Sequence, residues 1–277
     1  MAMPVHLVDA SPYIFRAFHT LPESIRDREG RPTNAVHGFV DFLLRLIREE
    51  EVTHLAVCFD HDLVRSFRND FYPAYKAHRP APPAPLVSQL DPCREAAEAL
   101  GARTFIAKGY EADDLIATLV RALQQPAVIV SGDKDLAQLV TDDVALYDLA
   151  RDERYGPPEV LGKFGVRPDQ IADLLALAGD ATDNIPGVTG IGRKTAAKLL
   201  RKFGKVEDID WGGLRGPMAL GRESALLSKR LALVAQDAPV SATLEDLRYR
   251  GAEPAAVDAF CARLGSERLR ARIPLRS

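Results

Sequence analysis

Apolar runs that stop at an aspartate constrain this chain more than any other feature. Pro4 to Asp9 (Pro-Val-His-Leu-Val-Asp) and His54 to Asp60 (His-Leu-Ala-Val-Cys-Phe-Asp) are two such runs. A third, Ala127 to Ser131, leads into Gly132-Asp133-Lys134-Asp135. Short, nearly uninterrupted apolar segments suit strands buried on both faces of a parallel sheet. In such sheets functional groups collect outside the carboxyl ends of the strands. Helical periodicity occupies the intervening stretches, over Val36 to Ile47, Leu86 to Leu100 and Glu111 to Leu123. The alternation predicts an α/β fold, a parallel sheet with helices on both faces.

The densest acidic stretch is Gly109-Tyr110-Glu111-Ala112-Asp113-Asp114, followed at once by Leu115-Ile116-Ala117-Thr118-Leu119-Val120. Acids in the first turn of a helix are favoured by its dipole, so capping alone could account for them. The recurrence of acids elsewhere points further. Asp9, Asp60 and Asp133 follow strand-like runs, and Asp180 and Asp183 form a second cluster. Carboxylates that converge from several elements repel one another unless cations neutralise them. A hard divalent cation with oxygen ligands meets that need.

Composition narrows the class. Hydrophobic residues make up 47% and charged residues 27% of 277 positions, ordinary for a globular protein. No run approaches the ~18 apolar residues of a membrane span, and Met1-Ala2-Met3-Pro4 lacks the character of a signal peptide. Cys58, Cys93 and Cys261 have neither an even count nor metal-type spacing, so reduced thiols and a cytoplasmic location are expected, with no membrane partner. All six histidines lie before residue 79 without a pair at helical spacing, and no zinc site is expected. The net charge of −3 by itself argues against nucleic acid. Setting aside eight acids as metal ligands gives −3 + 8 = +5 for the remainder, so the whole-chain charge is a poor guide.

Two stretches suggest polyanion contacts. In residues 65–85, Arg65, Arg68, Lys76 and Arg79 alternate with Phe67, Phe71, Tyr72 and Tyr75 before a series of prolines. Interleaved basic and aromatic residues suit nucleic-acid contact, and a stiff inter-domain linker is the other reading. Further on, Gly187-Val188-Thr189-Gly190-Ile191-Gly192 opens a helix carrying Arg193, Lys194, Lys198, Arg201, Lys202 and Lys205 with no acid among them. A glycine-rich turn at a helix start points backbone N–H groups at an anion; the alternative is a plain solvated face. From Pro157 onward the pattern is helical only, which places a lobe boundary near residue 160. The stretch Leu214 to Ser277 reads as amphipathic helices packing the second lobe.

Taken together, Asp9-Ala10-Ser11, Cys58-Phe59-Asp60, Gly109 to Asp114, Asp133-Lys134-Asp135 and Gly179-Asp180-Ala181-Thr182-Asp183-Asn184-Ile185-Pro186-Gly187 resemble the bacterial 5′–3′ exonucleases of the flap endonuclease superfamily. These often form the N-terminal domain of DNA polymerase I, and the similarity runs from about residue 4 to about residue 265 in the same order. A free-standing member or an excised domain is expected. The resemblance implies a PIN-like α/β catalytic domain over 1–160, with an arch at about 65–90. It further implies a helical lobe over 161–277 containing a helix-three-turn-helix. It implies two Mg²⁺ or Mn²⁺ ions. Asp9, Asp60, Glu111 and Asp113 would serve the first, and Asp133, Asp135, Asp180 and Asp183 the second, while Asp114 is left between an outer-shell and a capping role. Lys76 and Arg79 would be the catalytic cations near the scissile phosphate. Phe15 would stack on a base, and Arg16 and Tyr75 would also contact DNA. Gly187, Gly190, Gly192, Lys194, Thr195 and Lys198 would hold duplex phosphates, with K⁺ as a candidate ion on the hairpin carbonyls.

The expected activity is metal-dependent hydrolysis at 5′ flaps and 5′ ends of duplex DNA by a monomer in replication primer removal or repair, with nicked duplexes and RNA–DNA primer junctions among its partners. Two other classes compete. A non-catalytic binder of branched DNA would leave the acids structural, and a PIN-type ribonuclease would share the acidic core but lack the basic glycine-hairpin lobe.

Overall fold

The computed structural model describes residues 3–276. In chain order the elements are β1 (Val5–Asp9), α1 (Ser11–Thr20), α2 (Asn34–Glu49), β2 (Leu55–Cys58), α3 (Arg68–Phe71), α4 (Ala84–Val87), α5 (Leu90–Ala99), β3 (Arg103–Phe105), α6 (Ala112–Leu123) and β4 (Ala127–Val130). They continue with β5 (Val144–Asp148), β6 (Glu153–Tyr155), α7 (Pro157–Phe164), α8 (Ile171–Ala178), α9 (Arg193–Phe203), α10 (Arg222–Ala232), α11 (Pro254–Leu264) and α12 (Glu267–Arg270), with short 3₁₀ turns between. Two compact units result. The first comprises 1–63, 81–132 and 236–277, and the second 64–80 and 133–235.

In the first unit four parallel strands stand in the order β3-β2-β1-β4. Every residue of β1, β2 and β4 is buried, which explains their continuous apolar sequences. The register places Asp9 opposite Cys58 and Val8 opposite Val130. The carboxyl ends of these three strands therefore fall level, and Asp9, Asp60 and Ser131 emerge at one edge. Helices α1 and α2 pack together partly through Tyr13 stacked on Phe42, with ring centroids 3.7 Å apart.

The C-terminal stretch departs from expectation. Residues 236–277 belong to the first unit, not to the helical lobe. The Tyr249 N–H donates to the Thr53 carbonyl (2.8 Å), Arg248 bridges His54, and the Ala238 N–H donates to Thr118 Oγ1 on α6 (3.0 Å). Backbone groups on β2's approach and a threonine hydroxyl on α6 thus recruit a segment distant in sequence, which amphipathic periodicity alone could not assign to a partner.

In the second unit, β5 and β6 form an antiparallel pair, and beyond Pro157 the described elements are helical, as the sequence pattern predicted. Residues Ile171 to Leu177 of α8 are all buried, consistent with its almost wholly apolar sequence. Helix α10 packs on it with Lys229 Nζ 2.8 Å from Asp173 Oδ1. The stretch 64–80 is docked on this unit rather than loose. The buried Arg68 donates through Nε to the Leu231 carbonyl and through Nη2 to the Leu233 carbonyl, both at 2.9 Å. Residues 64–80 contain the four-residue α3, and residues from 81 on, with α4 and α5, belong to the first unit.

Candidate active site

The first unit gathers one set of acids. Asp9 and Glu111 are buried, and Asp60 and Asp113 are half-buried. Asp9 Oδ2 accepts a hydrogen bond from the buried Ser131 hydroxyl (2.7 Å). Asp60 accepts from Ser11 Oγ (2.5 Å) and from the Ala112 N–H at the start of α6 (2.7 Å). The Cys58 thiol lies among them. Burial, and then the charges of Asp9, Asp113 and Asp60, push it well above the ordinary range, so it is an inert thiol. Asp114 is fully buried and its Oδ2 accepts the Glu111 N–H (3.2 Å), forming with Glu111 the capping box at the start of α6.

The second unit gathers the other set. Asp135 is half-buried, and its carboxyl is pushed up to about 8, by desolvation first and then by the charges of Asp133, Asp183 and Asp180. Asp133 is open to solvent yet crowded by surrounding protein. That crowding raises its carboxyl, with Asp183 and Asp180 adding to the effect, while the Asp135 N–H (2.9 Å) and Lys76 oppose it. Four carboxylates here face two cations, Lys76 and Arg79.

Both cations reach the same acid. Arg79 Nη2 is 2.5 Å from Asp183 Oδ1 and Lys76 Nζ is 3.6 Å from Asp183 Oδ2. Lys76 and Asn184 both have positive φ (53° and 58°), a conformation that non-glycine residues adopt when their surroundings over-determine it. Those surroundings are visible: the Lys76 N–H donates to the Asp183 carbonyl (3.0 Å) and Asn184 Nδ2 to the Ala74 carbonyl (2.7 Å). Tyr75, expected at a DNA-facing surface, is instead buried, with its hydroxyl donating to Asp183 Oδ2 (3.1 Å). The aromatic ring packs against Arg68 and Lys76 because its polar end found an acid.

Among the described residues no three His, Cys, Asp or Glu side chains form a ready-made metal cage. The chemistry of the donors nonetheless fits a hard cation. Each set consists of carboxylates without imidazole or thiolate donors. Asp135 and Asp133 bear raised carboxyls, through desolvation first and then through the charges of neighbouring acids, and a bound cation would offset both. Ser11, Ser131, the Ala112 N–H, Lys76 and Arg79 occupy carboxylate oxygens that a cation would compete for.

The hairpin follows the second acidic loop. Gly190 has φ +87°, and the Ile191 N–H donates to the Val188 carbonyl to close the turn. Gly192 precedes α9, on which Lys194, Thr195 and Lys198 are exposed while Ala196, Ala197 and Leu200 are buried. Beside that face a basin of about 430 Å³ is lined by Lys163, Phe164, Arg193, Lys194, Lys198 and Arg201. On α1, Phe15 is half-buried and Arg16 exposed. Sequence reasoning missed Ser131, Ser224, Ser228 and Asn184 as partners of these groups. Ser131 had a local signal, since it ends a strand run beside two acids; the α10 serines had none.

Two carboxylate sets, a glycine hairpin and a cationic helix stand in one chain, and that chain belongs to the 5′–3′ exonuclease family. Residues 4–165 match the family's N-terminal resolvase-like domain and residues 166–255 its C-terminal SAM fold. The chain is 42% identical over 258 residues to DNA polymerase I of Rhizobium leguminosarum, covering 87% of this chain and 25% of that one. With DNA polymerase I of Bacillus caldotenax the identity is 41% over 273 residues, covering 94% and 31%. It thus spans about a quarter to a third of the length of these relatives. Its fold is shared with the T5 5′-exonuclease, solved with zinc as bound divalent metal, at a TM-score of 0.71 and 23% identity over 97% of this chain and 96% of that one. Among the described residues no helix is long and apolar enough to cross a membrane.

Proposed function

We propose that this chain is a divalent-metal-dependent 5′ nuclease that hydrolyses phosphodiester bonds at 5′ flaps and at the 5′ ends of duplex DNA, RNA–DNA primer junctions included. The observation that carries the reading is the pair of carboxylate sets, one at the strand ends of the first unit and one in the second, in a chain that also presents a one-signed basic helix behind a glycine hairpin.

Asp9, Asp60, Glu111 and Asp113 would hold one Mg²⁺ or Mn²⁺, and Asp133, Asp135, Asp180 and Asp183 a second. Such ions, when bound, lower the pKa of a coordinated water and stabilise charge on the leaving oxygen. The chain's own residues do the rest. Ser131 and Ser11 orient Asp9 and Asp60 by hydrogen bonds to one oxygen of each. Lys76 and Arg79 are the cations on hand for the scissile phosphate, where fixed positive charge favours the transition state over the ground state. Lys194, Thr195, Lys198 and the N–H groups of the hairpin bind duplex phosphates without reading sequence. Phe15 stacks on a base beside the cut and Arg16 holds the adjacent phosphate. K⁺ on hairpin carbonyls belongs to the same reading, and replacing KCl by a tetraalkylammonium salt at equal ionic strength would then weaken duplex binding.

The deciding experiment is incubation with a labelled 5′-flap DNA in Mg²⁺ and in EDTA. Release of a short 5′ product in Mg²⁺ alone is expected. Tight flap binding without cleavage in either condition would favour a non-catalytic binder, and cleavage of single-stranded RNA in place of the flap would favour a PIN-type ribonuclease.

A further inference from the structure

Gly187 joins two functional parts of the second unit. Before it lies the loop bearing Asp180 and Asp183, and after it the hairpin Val188 to Gly192. The loop is closed on itself: the Asp180 N–H donates to the Ile185 carbonyl (3.0 Å) and the Ile185 N–H to the Asp180 carbonyl (2.8 Å). At its base Gly179 and Gly187 meet backbone to backbone. A Cβ added at Gly187 (φ +63°) would stand 2.4 Å from the Gly179 nitrogen.

Both peptide groups flanking Gly187 are gripped by one helix. The Gly187 N–H donates to Ser228 Oγ (2.9 Å), and Ser224 Oγ donates to the Gly187 carbonyl (2.5 Å). The two serines stand one turn apart on α10, which puts them on one face. Ser228 is fully buried, whereas Ser224 is half-buried. Helix α10 is in turn tied to α8, the helix that leads into the acidic loop, by Lys229 and Asp173.

We infer that Ser224 and Ser228 are positioning residues that set the acidic loop and the phosphate-binding hairpin at once, so that ion affinity and duplex affinity depend on the same two hydroxyls. This rests on the nuclease reading above. A hydroxyl that merely satisfies a buried backbone group affects stability when removed. A hydroxyl that places the joint also changes what the loop and the hairpin each bind.

The test uses the whole chain with Ser224→Ala and Ser224→Thr, the latter keeping the hydroxyl, and with Ser228→Ala as a second probe of the same joint. Mn²⁺ affinity is measured by calorimetry without DNA, and the Kd for a 5′-flap duplex is measured in EDTA. Ser224→Ala is expected to weaken both by about 5- to 10-fold, the scale of one neutral hydrogen bond, and Ser224→Thr to restore both. If Ser228→Ala fails to fold, the half-buried Ser224 still decides the matter. Parental values of either constant in Ser224→Ala overturn the inference, even if the melting temperature falls. A parent protein that neither takes up Mn²⁺ nor cleaves the flap overturns the nuclease reading and the inference with it. A parent that does both, beside an unchanged Ser224→Ala, overturns the inference alone.

Discussion

Arg79 and Asp183 form a charge-assisted hydrogen bond, with Nη2 2.5 Å from Oδ1, and Arg79 Nε also reaches the Thr182 carbonyl at 3.1 Å. Lys76 completes the arrangement from the other oxygen of the same carboxylate. A cation expected at the scissile phosphate and an acid expected at a metal are thus each other's partners within the second unit. A phosphate would compete with Asp183 for the arginine, and a divalent ion would compete with Arg79 and Lys76 for the aspartate.

Lys76 tests the catalytic half of this relationship. Removing a cation that acts on charge developing in the transition state costs rate more than ground-state binding. Lys76→Ala is expected to lower single-turnover cleavage of a 5′-flap substrate by ~10²-fold or more, the scale of one lost electrostatic group, with little change in Kd. Equal rates for parent and variant would make 64–80 a docked segment without a catalytic part.

The acids of the second unit should show in the pH dependence of stability. The Asp135 carboxyl is pushed up to about 8 in the folded chain, against an ordinary value of 3.8 for the free group. Between about pH 4 and pH 8 the folded protein therefore holds a proton that the unfolded chain has released, and stability falls as pH rises through that window. In EDTA, melting temperature should decline from pH 5 to pH 8, and Asp135→Asn should flatten the decline. Parallel melting profiles for parent and variant would show that the cluster is not repulsive.

Asp133 separates folding from chemistry. Its removal relieves repulsion on Asp135, so Asp133→Ala should melt at or above the parent temperature in EDTA while losing orders of magnitude in cleavage. Flap binding in Ca²⁺ or EDTA should persist. A near-parental cleavage rate would remove Asp133 from the proposed ion site.

Salt dependence probes the helix behind the hairpin. Lys194 and Lys198 are both exposed on α9. Replacing both with Ala should weaken duplex binding for all sequences alike and reduce the log–log salt slope by about one to two units. An unchanged slope would leave the basic face as mere solvated surface.

Two glycines of the hairpin should respond in opposite ways. Gly187→Ala forces a side chain at positive φ against the backbone of Gly179 and should cost about 1–3 kcal/mol or more. An added Cβ at Gly192 meets nothing within 4 Å, and its φ is −91°. Gly192→Ala should leave the denaturant midpoint nearly unchanged, with ~1 kcal/mol as the upper bound for a changed helix cap, yet weaken duplex binding if a phosphate approaches that backbone. Midpoints and flap Kd values measured together check both.

Several of the elements were legible in the residue order alone. Val5–Asp9 and Ala127–Val130 read as buried strands because hydrophobic runs and turn residues act over a few positions. Ala112–Leu123 read as a helix because Glu111 and Asp114 mark its start. Tertiary structure alone decided the partners. Ser131 meets Asp9 across 122 positions, Arg79 meets Asp183 across 104, and Gly187 meets Ser228 across 41. It also decided that residues 236–277 return to the first unit and that Tyr75 is buried against an acid. The reason is physical: backbone conformation and hydrophobic period are set by near neighbours, whereas a hydrogen-bond partner depends on where the folded path brings distant donors and acceptors.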